Sequence, residues 1–164
     1  MDNYSFQGAL KSSLFYLRSR PRSVNEVVKK LRKKQIPDDI VSKVILELQR
    51  CGYLDDEDFS RRWVEGHLHR SGGAQKFAFD LNKKGISQEI IDAILTEYAP
   101  QLSSRDRAVE SLRKQLWRYR CIETNKARSR MFSFLARRGF DVSTVREVVD
   151  MFCKELEQDE ITRS

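Results

Sequence analysis

The chain has 164 residues, of which 40% are hydrophobic and 34% charged, so it can bury a core and is not broadly disordered. Its net charge of +7 suits a polyanion or an acidic protein surface as partner, although a solvated basic face without any partner gives the same number. Few prolines and glycines and no long β-branched alternation predict an all-α protein, and no apolar run approaches the roughly 20 residues of a membrane span.

Apolar residues recur at helical spacing in nine segments along the chain. In residues 1–54 the three faces are Phe6, Leu10, Leu14 and Leu17; Val24, Val27, Val28 and Leu31; and Ile40, Val41, Val44, Ile45 and Leu48. In residues 55–102 they are Phe59, Trp63 and Val64; Ala74, Phe77 and Leu81; and Ile90, Ile91, Ile94, Leu95 and Tyr98. In residues 103–164 they are Ala108, Leu112, Leu116 and Tyr119; Met131, Phe134 and Leu135; and Val145, Val148, Val149, Phe152 and Leu156. We therefore predict nine short helices in three groups of three.

A short motif recurs once in each of these groups. It reads LRKKQI at 31–36, LNKKGI at 81–86 and LARRGF at 135–140, with offsets of 50 and 54 residues between the leucines. Each copy has a leucine, two adjacent bases, a turn residue and an apolar residue. Isolated helices of fewer than about 12–15 residues are marginal, so the helices must pack within each group and between neighbours. The sequence predicts three tandem three-helix repeats, 1–54, 55–102 and 103–164, in an elongated molecule.

The stretch GYLDDEDF at 52–59 joins the first predicted repeat to the second. Gly52 can end a helix in a left-handed conformation, and Asp55 can accept N–H groups at the start of the next helix. Asp58 then takes the capping-box position, while Leu54 and Phe59 form a hydrophobic staple. This predicted structural joint comprises Gly52, Tyr53, Leu54, Asp55, Asp58 and Phe59.

The four consecutive acids of this joint leave two other interpretations open. A metal site needs carboxylates that converge from more than one element, or a loop with alternating ligands and a central glycine. Neither pattern is present, so we expect no metal here, and structural capping is favoured. A contact between these acids and a basic partner is the other alternative. We expect Tyr53 and Leu54 to pack back over the joint.

Motifs that carry enzymatic chemistry are missing from the sequence. There is no phosphate-binding loop, dinucleotide fingerprint or nucleophile elbow. His67 and His69 stand two residues apart on a predicted helix and point to nearly opposite sides, so they would not share a metal. Cys51, Cys121 and Cys153 are odd in number and far apart, which is typical of reduced thiols in a cytoplasmic protein. We predict no enzyme activity, no cofactor and no metal.

Basic residues cluster at the turns and on the polar faces of the predicted helices. Residues 1–54 carry a net charge of +6, residues 55–102 carry −3 and residues 103–164 carry +4. The helix dipole alone favours cations at helix C-termini, but the surplus and its recurrence in each repeat favour a binding face. The candidate contact residues are Arg18, Arg20, Arg22, Lys29, Lys30, Arg32, Lys33, Lys34, Lys83, Lys84, Arg113, Lys114, Arg118, Arg137 and Arg138.

Two aromatic residues lie among the bases of the third repeat. Trp117 and Tyr119 stand beside Arg118 and Arg120, and aromatic rings among bases can stack on unpaired nucleobases. Tyr119 also belongs to the predicted apolar face, so we expect it in the core. Arg128 and Arg130 extend the same basic region.

Several stretches, in order, resemble the RecX family of bacterial recombination regulators. They are RPRSVNEVVKKL at 20–31, GYLDDEDFSRRWV at 52–64, DLNKKGISQEIIDAIL at 80–95 and FLARRGFDVSTV at 134–145. The resemblance covers about residues 9–152. Gln35 stands where the family often has glycine, and Gly72-Gly73-Ala74 replaces its usual glycine–proline pair.

The resemblance implies a curved molecule of three three-helix repeats that binds the RecA filament on DNA. We expect a monomer without a membrane segment, and the resemblance implies that it lies in the helical groove of the filament. There it would inhibit RecA ATPase, strand exchange and co-protease activity, in the control of recombination, DNA repair and the SOS response. It also implies direct binding to single- and double-stranded DNA. Two other hypotheses stay open: a stand-alone DNA-binding protein that competes for DNA, and a nuclease that uses the acidic cluster.

Overall fold

The computed structural model describes residues 5–70, 72–102 and 105–163. Within these ranges the chain is helical, without strands, and the predicted all-α class is confirmed. The α-helices are α1 Phe6–Leu17, α2 Val24–Lys33, α3 Asp38–Arg50, α4 Asp56–His67, α5 Ala74–Lys83, α6 Gln88–Glu97, α7 Ala99–Leu102, α8 Arg105–Arg113, α9 Thr124–Arg137 and α10 Val142–Arg163. A 3₁₀ helix covers Leu116–Arg118. No helix in the described ranges is both long and apolar enough to cross a membrane.

The first helix of the third repeat is shorter than its apolar spacing predicts. The periodicity continues to Tyr119, but α8 ends at Arg113 and the chain tightens into the 3₁₀ helix. A 3₁₀ helix has three residues per turn, so Leu116 and Tyr119 still point to one side. Both side chains are buried. The burial predicted for Tyr119 is therefore achieved without a continuous α-helix.

The C-terminal acidic segment continues the last helix. The sequence leaves open whether residues 155–160 form helix or a frayed tail, and α10 extends through them to Arg163. The buried side chain of Leu156 fixes this part of the helix to the core.

Contacts along the chain divide it into two compact units. The first comprises Met1–Glu65 and Asp80–Ile94, and the second comprises Gly66–Phe79 and Leu95–Ser164. The helices of the middle repeat therefore contribute residues to both units. The predicted repeat boundaries at 54/55 and 102/103 stay predictions.

Each unit has its own apolar core. The core of the first unit lies between α1, α2 and α3 and includes Ala9, Val27, Leu31, Ile36, Val41, Val44, Ile45, Leu48 and Leu54. The core of the second unit lies between α8, α9 and α10 and includes Ala108, Leu112, Leu116, Tyr119, Ala127, Met131, Leu135, Phe140, Val145, Val148, Val149, Phe152, Cys153 and Leu156. Burial of these side chains stabilises the helices, most of which are too short to persist alone.

In the first unit, the N-terminus of α2 lies against the turn between α5 and α6. The Ser23 hydroxyl caps α2 by accepting the Glu26 N–H, and it donates to the Lys84 carbonyl oxygen at 2.7 Å. Gly85 is in the left-handed region with φ 76°, and a Cβ built on it would lie 2.3 Å from the Asn25 side-chain amide. We call this contact between the N-terminus of α2 and the α5–α6 turn the seat. It requires both a left-handed backbone conformation and a close approach, and glycine permits both.

The second unit repeats this seat one repeat later. The Gly73 N–H, just before α5, donates to the Arg138 carbonyl oxygen at 2.8 Å in the turn between α9 and α10. A Cβ on Gly73 would lie 2.1 Å from the Gly139 carbonyl oxygen. The Arg107 guanidinium supports the preceding segment by donating to the carbonyl oxygens of Leu68 and Arg70, at 2.6 and 2.7 Å.

Gly73→Ala should therefore destabilise the protein, because its new methyl group would meet backbone atoms that cannot move aside. We expect the free energy of unfolding to fall by about 1–3 kcal/mol, the usual cost of overpacking. Gly66→Ala is the matched control, because nothing lies within 4 Å of its Cβ position. It should leave stability unchanged or raise it by up to about 1 kcal/mol. Urea unfolding followed by circular dichroism measures both, and equal stability of the two variants would contradict the close approach.

Candidate binding surface

Three of the predicted contact residues surround one carboxylate at the start of α2. The Glu26 carboxylate accepts the Ser23 N–H at 3.1 Å and pairs with the Arg20 guanidinium at 2.8 Å. The Lys84 ammonium lies 3.8 Å from the same carboxylate, and the Arg22 guanidinium lies 4.0 Å from it. These cations stabilise the capping box and the adjoining turn, so their charge is largely neutralised within the first unit.

Arg22 and Lys84 are also held against aromatic rings. The Arg22 guanidinium lies 4.0 Å from the centre of the Tyr16 ring, and only 13% of its side chain is exposed. The Lys84 ammonium lies 5.8 Å from the Phe59 ring centre, and its side chain is 23% exposed. A partner would therefore meet little of either side chain.

Burial and charge act in opposite directions on Glu26. Burial raises the pKa of its carboxyl, but the Ser23 N–H, the Arg20 guanidinium and the Lys84 charge together outweigh it, and the net pKa is lowered. The carboxylate is thus held ionised at the centre of this cluster.

The outward side of α2 carries the charges that are available to a partner. Lys29 and Lys33 are exposed, one helical turn apart, and have no hydrogen-bonding or ionic partner in the part of the chain that the structure describes. Arg18 is also exposed at the end of α1, and its side chain has no partner within the same ranges. Among the predicted contact residues on α1 and α2, these three are the exposed bases for which the described residues offer no partner.

The other predicted contacts of α2 are partly engaged. Arg32 pairs with Asp38 at 2.9 Å, and the Lys34 ammonium donates to the Ser12 hydroxyl at 2.7 Å. The Lys30 ammonium lies 5.3 Å from the Tyr16 ring centre. Arg32 and Lys34 remain exposed, and surface pairs of this kind contribute little free energy and break readily.

The paired bases of the second and third repeats divide into an outward and an inward residue. Lys83 and Arg137 are exposed, whereas Lys84 and Arg138 are half-buried at the seating turns. The Arg138 guanidinium lies 4.5 Å from the Phe134 ring centre. The two bases of each pair look equivalent in the sequence motif, but only the first base of each pair is exposed to solvent.

Arg113 and Lys114 are neutralised within the second unit. The Arg113 guanidinium pairs with Glu155 at 3.4 Å, and Lys114 pairs with Glu110 at 2.7 Å. Arg118 instead points into an open cleft of about 490 Å³ that also contains Arg137. Arg130 also lines this cleft, although its sequence position indicates only membership of the wider basic region. Its spacing of two helical turns from Arg137 is the signal that could have identified it.

The acidic joint begins α4 much as its sequence predicts. Gly52 has a φ of 73°, and the Asp55 carboxylate accepts the Glu57 and Asp58 N–H groups at 2.8 and 3.1 Å. Leu54 and Phe59 are buried.

Two residues of the joint differ from prediction. Tyr53 is 60% exposed and does not pack over the joint, because consecutive residues outside a helix point to opposite sides and Leu54 takes the buried one. Asp58 does not reach back to Asp55. Its side chain is one methylene shorter than the glutamate of a capping box, and it pairs instead with Arg62 at 2.9 Å.

Asp56 has a role that the sequence did not indicate. Its carboxylate accepts the Val24 N–H at 2.8 Å and so caps α2 from the first turn of α4. Burial raises the pKa of this carboxyl, and the Val24 hydrogen bond opposes the rise. The partners lie 32 residues apart, so no local pattern reveals the contact.

The four acids of the joint point to separate partners. Glu57 pairs with Arg61, while Asp55, Asp56 and Asp58 make the contacts given above. Among the side chains that the structure describes, no three of His, Cys, Asp or Glu converge as metal ligands. The geometry is that of helix capping and not of a metal centre.

Comparison with known proteins follows the three repeats. Models of the first, second and third three-helix domains of RecX match residues 9–48, 55–95 and 104–149. A protein of Mycolicibacterium smegmatis named regulatory protein RecX is 35% identical over 143 residues, which cover 84% of this chain and 74% of the relative. A protein of the same name from Chlorobium phaeobacteroides is 29% identical over 82% of this chain and 86% of its own length.

Solved structures show the same fold. The crystal structure of RecX from Lactobacillus salivarius superposes with a TM-score of 0.77 at 23% identity, over 93% of this chain and 97% of that one. A second crystal structure, of a regulatory protein RecX, gives a TM-score of 0.80 at 24% identity, over 88% of this chain and 71% of that one. At this level of identity the likeness concerns the fold alone.

Removing the charge of Glu26 should weaken the protein in a pH-dependent way. Its folded pKa lies below the ordinary 4.5, so its contribution is complete above about that pH and is lost as the pH falls through the lowered value. Glu26→Gln should lower the free energy of unfolding by about 1 kcal/mol at pH 7. It should also make the decrease of this free energy below about pH 4.5 shallower than in wild type. Glu89→Gln, on an exposed site of α6, is the control. Identical pH profiles of wild type and Glu26→Gln would contradict the assignment.

Asp55→Ala should remove the cap of α4 and lower the free energy of unfolding by about 0.5–2 kcal/mol. Asp55→Asn should retain most of the stability, because its side-chain oxygen can still accept the two N–H groups. Urea unfolding measures both variants. Calorimetric binding of Mg²⁺ or Mn²⁺ that disappears in Asp55→Ala would show instead that this carboxylate is a metal ligand.

Proposed function

The chain belongs to the RecX family, and from this premise we propose that it is a regulatory protein that binds the RecA filament on DNA. In this proposal it acts in the cytoplasm as a monomer that lies in the helical groove of the filament. It lowers ATP hydrolysis, strand exchange and the co-protease activity of RecA. Through these effects it takes part in the control of recombination, DNA repair and the SOS response.

The observation that carries the proposal is the match of all three domains in their family order. Relatives that share about a third of their residues with this chain are named regulatory proteins. The match extends over most of the length of both proteins, so the proposal concerns the whole chain and not a single shared module.

The basic surface gives the proposed contact a physical basis. Lys29 and Lys33 present two positive charges on α2 that no carboxylate of the described residues neutralises. The phosphates of DNA and the acidic side chains of a protein both attract such charges, and the attraction weakens as salt screens it. Arg18 and the outward base Lys83 add exposed charge to the first unit, and the outward base Arg137 adds exposed charge to the second.

We propose no catalytic step for this protein. The acidic joint, which is the only run of adjacent carboxylates in the middle repeat, is engaged in capping and ion pairs. A regulator that occupies a groove needs complementary charge and shape, and the family match requires no reactive group.

Direct binding to DNA is the second candidate. The third domain carries Arg118, Arg130 and Arg137 around one cleft, and a polyanion would be attracted there without RecA. On this alternative, any loss of RecA activity would come from competition for DNA. Saturating the DNA with RecA before the regulator is added separates the two, because competition would then be slow and a filament-bound regulator would act at once.

The decisive measurement is ATP hydrolysis by RecA on single-stranded DNA with increasing amounts of this protein. We expect inhibition at substoichiometric ratios. The double variant Lys29→Glu/Lys33→Glu should need about tenfold more protein for half-inhibition, since it replaces attraction by repulsion worth roughly 1.4 kcal/mol.

Lys11→Glu/Lys43→Glu is the matched control for this assay. It makes the same change in net charge at exposed residues of α1 and α3, which likewise have no ionic partner within the described ranges. The control should inhibit nearly as wild type does. No inhibition by wild type at any ratio would refute the proposed function, and equal weakening of both variants would place the contact away from α2.

A further inference from the structure

A cleft in the second unit brings three arginines together without a carboxylate. It lies between the 3₁₀ helix and α9, and its volume is about 490 Å³. Arg118 enters from the 3₁₀ helix, and Arg130 and Arg137 enter from α9. Ser129 and Ser133 line the same space, and none of the residues that line it is acidic.

The regular geometry of α9 explains why these side chains converge. Arg130 and Arg137 are seven residues apart, which is two helical turns, so they project from one side of the helix. Ser133 lies between them, and Ser129 lies one turn before Ser133. Buried Tyr119 and half-buried Phe134 close the cleft on its inner side.

The arginines of this cleft differ from three other arginines of the same unit, which have carboxylate partners. Arg105, Arg113 and Arg128 each pair with a carboxylate of α10, at 2.5, 3.4 and 2.5 Å. Arg130 and Arg137 have no partner among the residues that the structure describes.

Among the described residues, the hydrogen-bond partner of Arg118 is neutral. Its guanidinium donates a hydrogen bond to the side-chain oxygen of Gln115, a neutral acceptor, at 3.0 Å. Like charges that share one space repel one another, so the clustering of these arginines costs stability that a bound anion would restore.

The donor set selects among anions. Guanidinium groups present several N–H donors in a planar fork that matches the oxygens of a phosphate. The serine hydroxyls add uncharged donors. Trp117, next to Arg118 in the chain, is 69% exposed, and the Arg118 guanidinium lies 5.6 Å from its ring centre. An exposed indole beside a phosphate site offers a surface on which a nucleobase can stack.

We propose that this cleft binds the phosphate of a nucleotide, with the base on Trp117. The nucleotide comes from a single-stranded nucleic acid or from a free nucleoside triphosphate, which share this chemistry. The inference deepens the proposed contact with DNA and rests on that proposal only for the nucleic-acid source. Phosphate binding by Arg118, Arg130 and Arg137 does not depend on RecA.

The test uses the full chain without RecA. Thermal unfolding is followed with inorganic phosphate, ATP or a thymidine oligonucleotide, each at an ionic strength held constant with sodium chloride. We expect the unfolding midpoint to rise by a few degrees with the ligands and not with chloride. Arg130→Gln should abolish most of this rise, yet its midpoint without ligand should equal or exceed that of wild type, because one repelling charge is gone. A buried structural arginine would show the opposite behaviour.

Arg146→Gln is the matched control, because this exposed arginine of α10 has no partner within the described ranges and lies outside the cleft. It should keep the full ligand-dependent rise. Oligonucleotide binding, followed by the fluorescence of Trp117, should weaken about tenfold in Arg130→Gln. Its dependence on log salt should become shallower by about one. The Trp117→Phe variant shows which part of the fluorescence change comes from Trp117.

These outcomes distinguish a free nucleotide from a nucleic-acid strand as the ligand. They also distinguish the cleft proposal from the proposed regulation of RecA. A rise with ATP alone assigns a free nucleotide, a rise with the oligonucleotide assigns a strand, and either result supports the cleft. No rise in wild type, a rise retained in Arg130→Gln, or equal loss in Arg146→Gln overturns it. Because RecA is absent from these assays, they can fail while RecA inhibition persists, and they can succeed where it does not.

Discussion

In each unit, the start of the second helix of one repeat lies against the turn before the third helix of the following repeat. Each unit depends on this contact, the seat. In the first unit the Ser23 hydroxyl reaches the Lys84 carbonyl, and in the second the Gly73 N–H reaches the Arg138 carbonyl. Each turn contains a left-handed glycine at closest approach, Gly85 or Gly139. A helix terminus has unsatisfied N–H groups, and the seat satisfies or covers them with backbone from the neighbouring repeat. The recurrence shows that one local rule is used twice.

This seat decides which cations remain for a partner. The base that precedes each turn glycine, Lys84 or Arg138, turns towards an aromatic ring and is half-buried. The base before it, Lys83 or Arg137, faces solvent. A pair that looks uniform in sequence therefore has one structural and one accessible member. The same division holds at the start of α2, where Arg22 is enclosed by Tyr16 and Glu26 while Lys29 stays exposed.

Periodicity and capping chemistry predict most of the helices because both are local. Asp55 and Ser23 cap helices at the positions that their neighbours in sequence indicate. The contact of Asp56 with Val24 spans 32 residues, and no local pattern encodes it. The 3₁₀ segment also escapes prediction, because Leu116 and Tyr119 are compatible with both helix types. The cleft depends on this same segment, so Arg118 could be named from sequence but its meeting with Arg130 could not.

Charge compensation distinguishes the two sides of α9 and connects stability to function. On the side that faces α10, Arg128 pairs with Asp150, and such surface pairs contribute up to about 1 kcal/mol each. On the other side, Arg130 and Arg137 stand without a counter-charge within the described residues. If stability alone determined this surface, a glutamate in place of Ser133 could neutralise both arginines from one helical turn away. The cleft instead keeps hydroxyl groups between its cations, which leaves its positive potential intact for an anion supplied from outside.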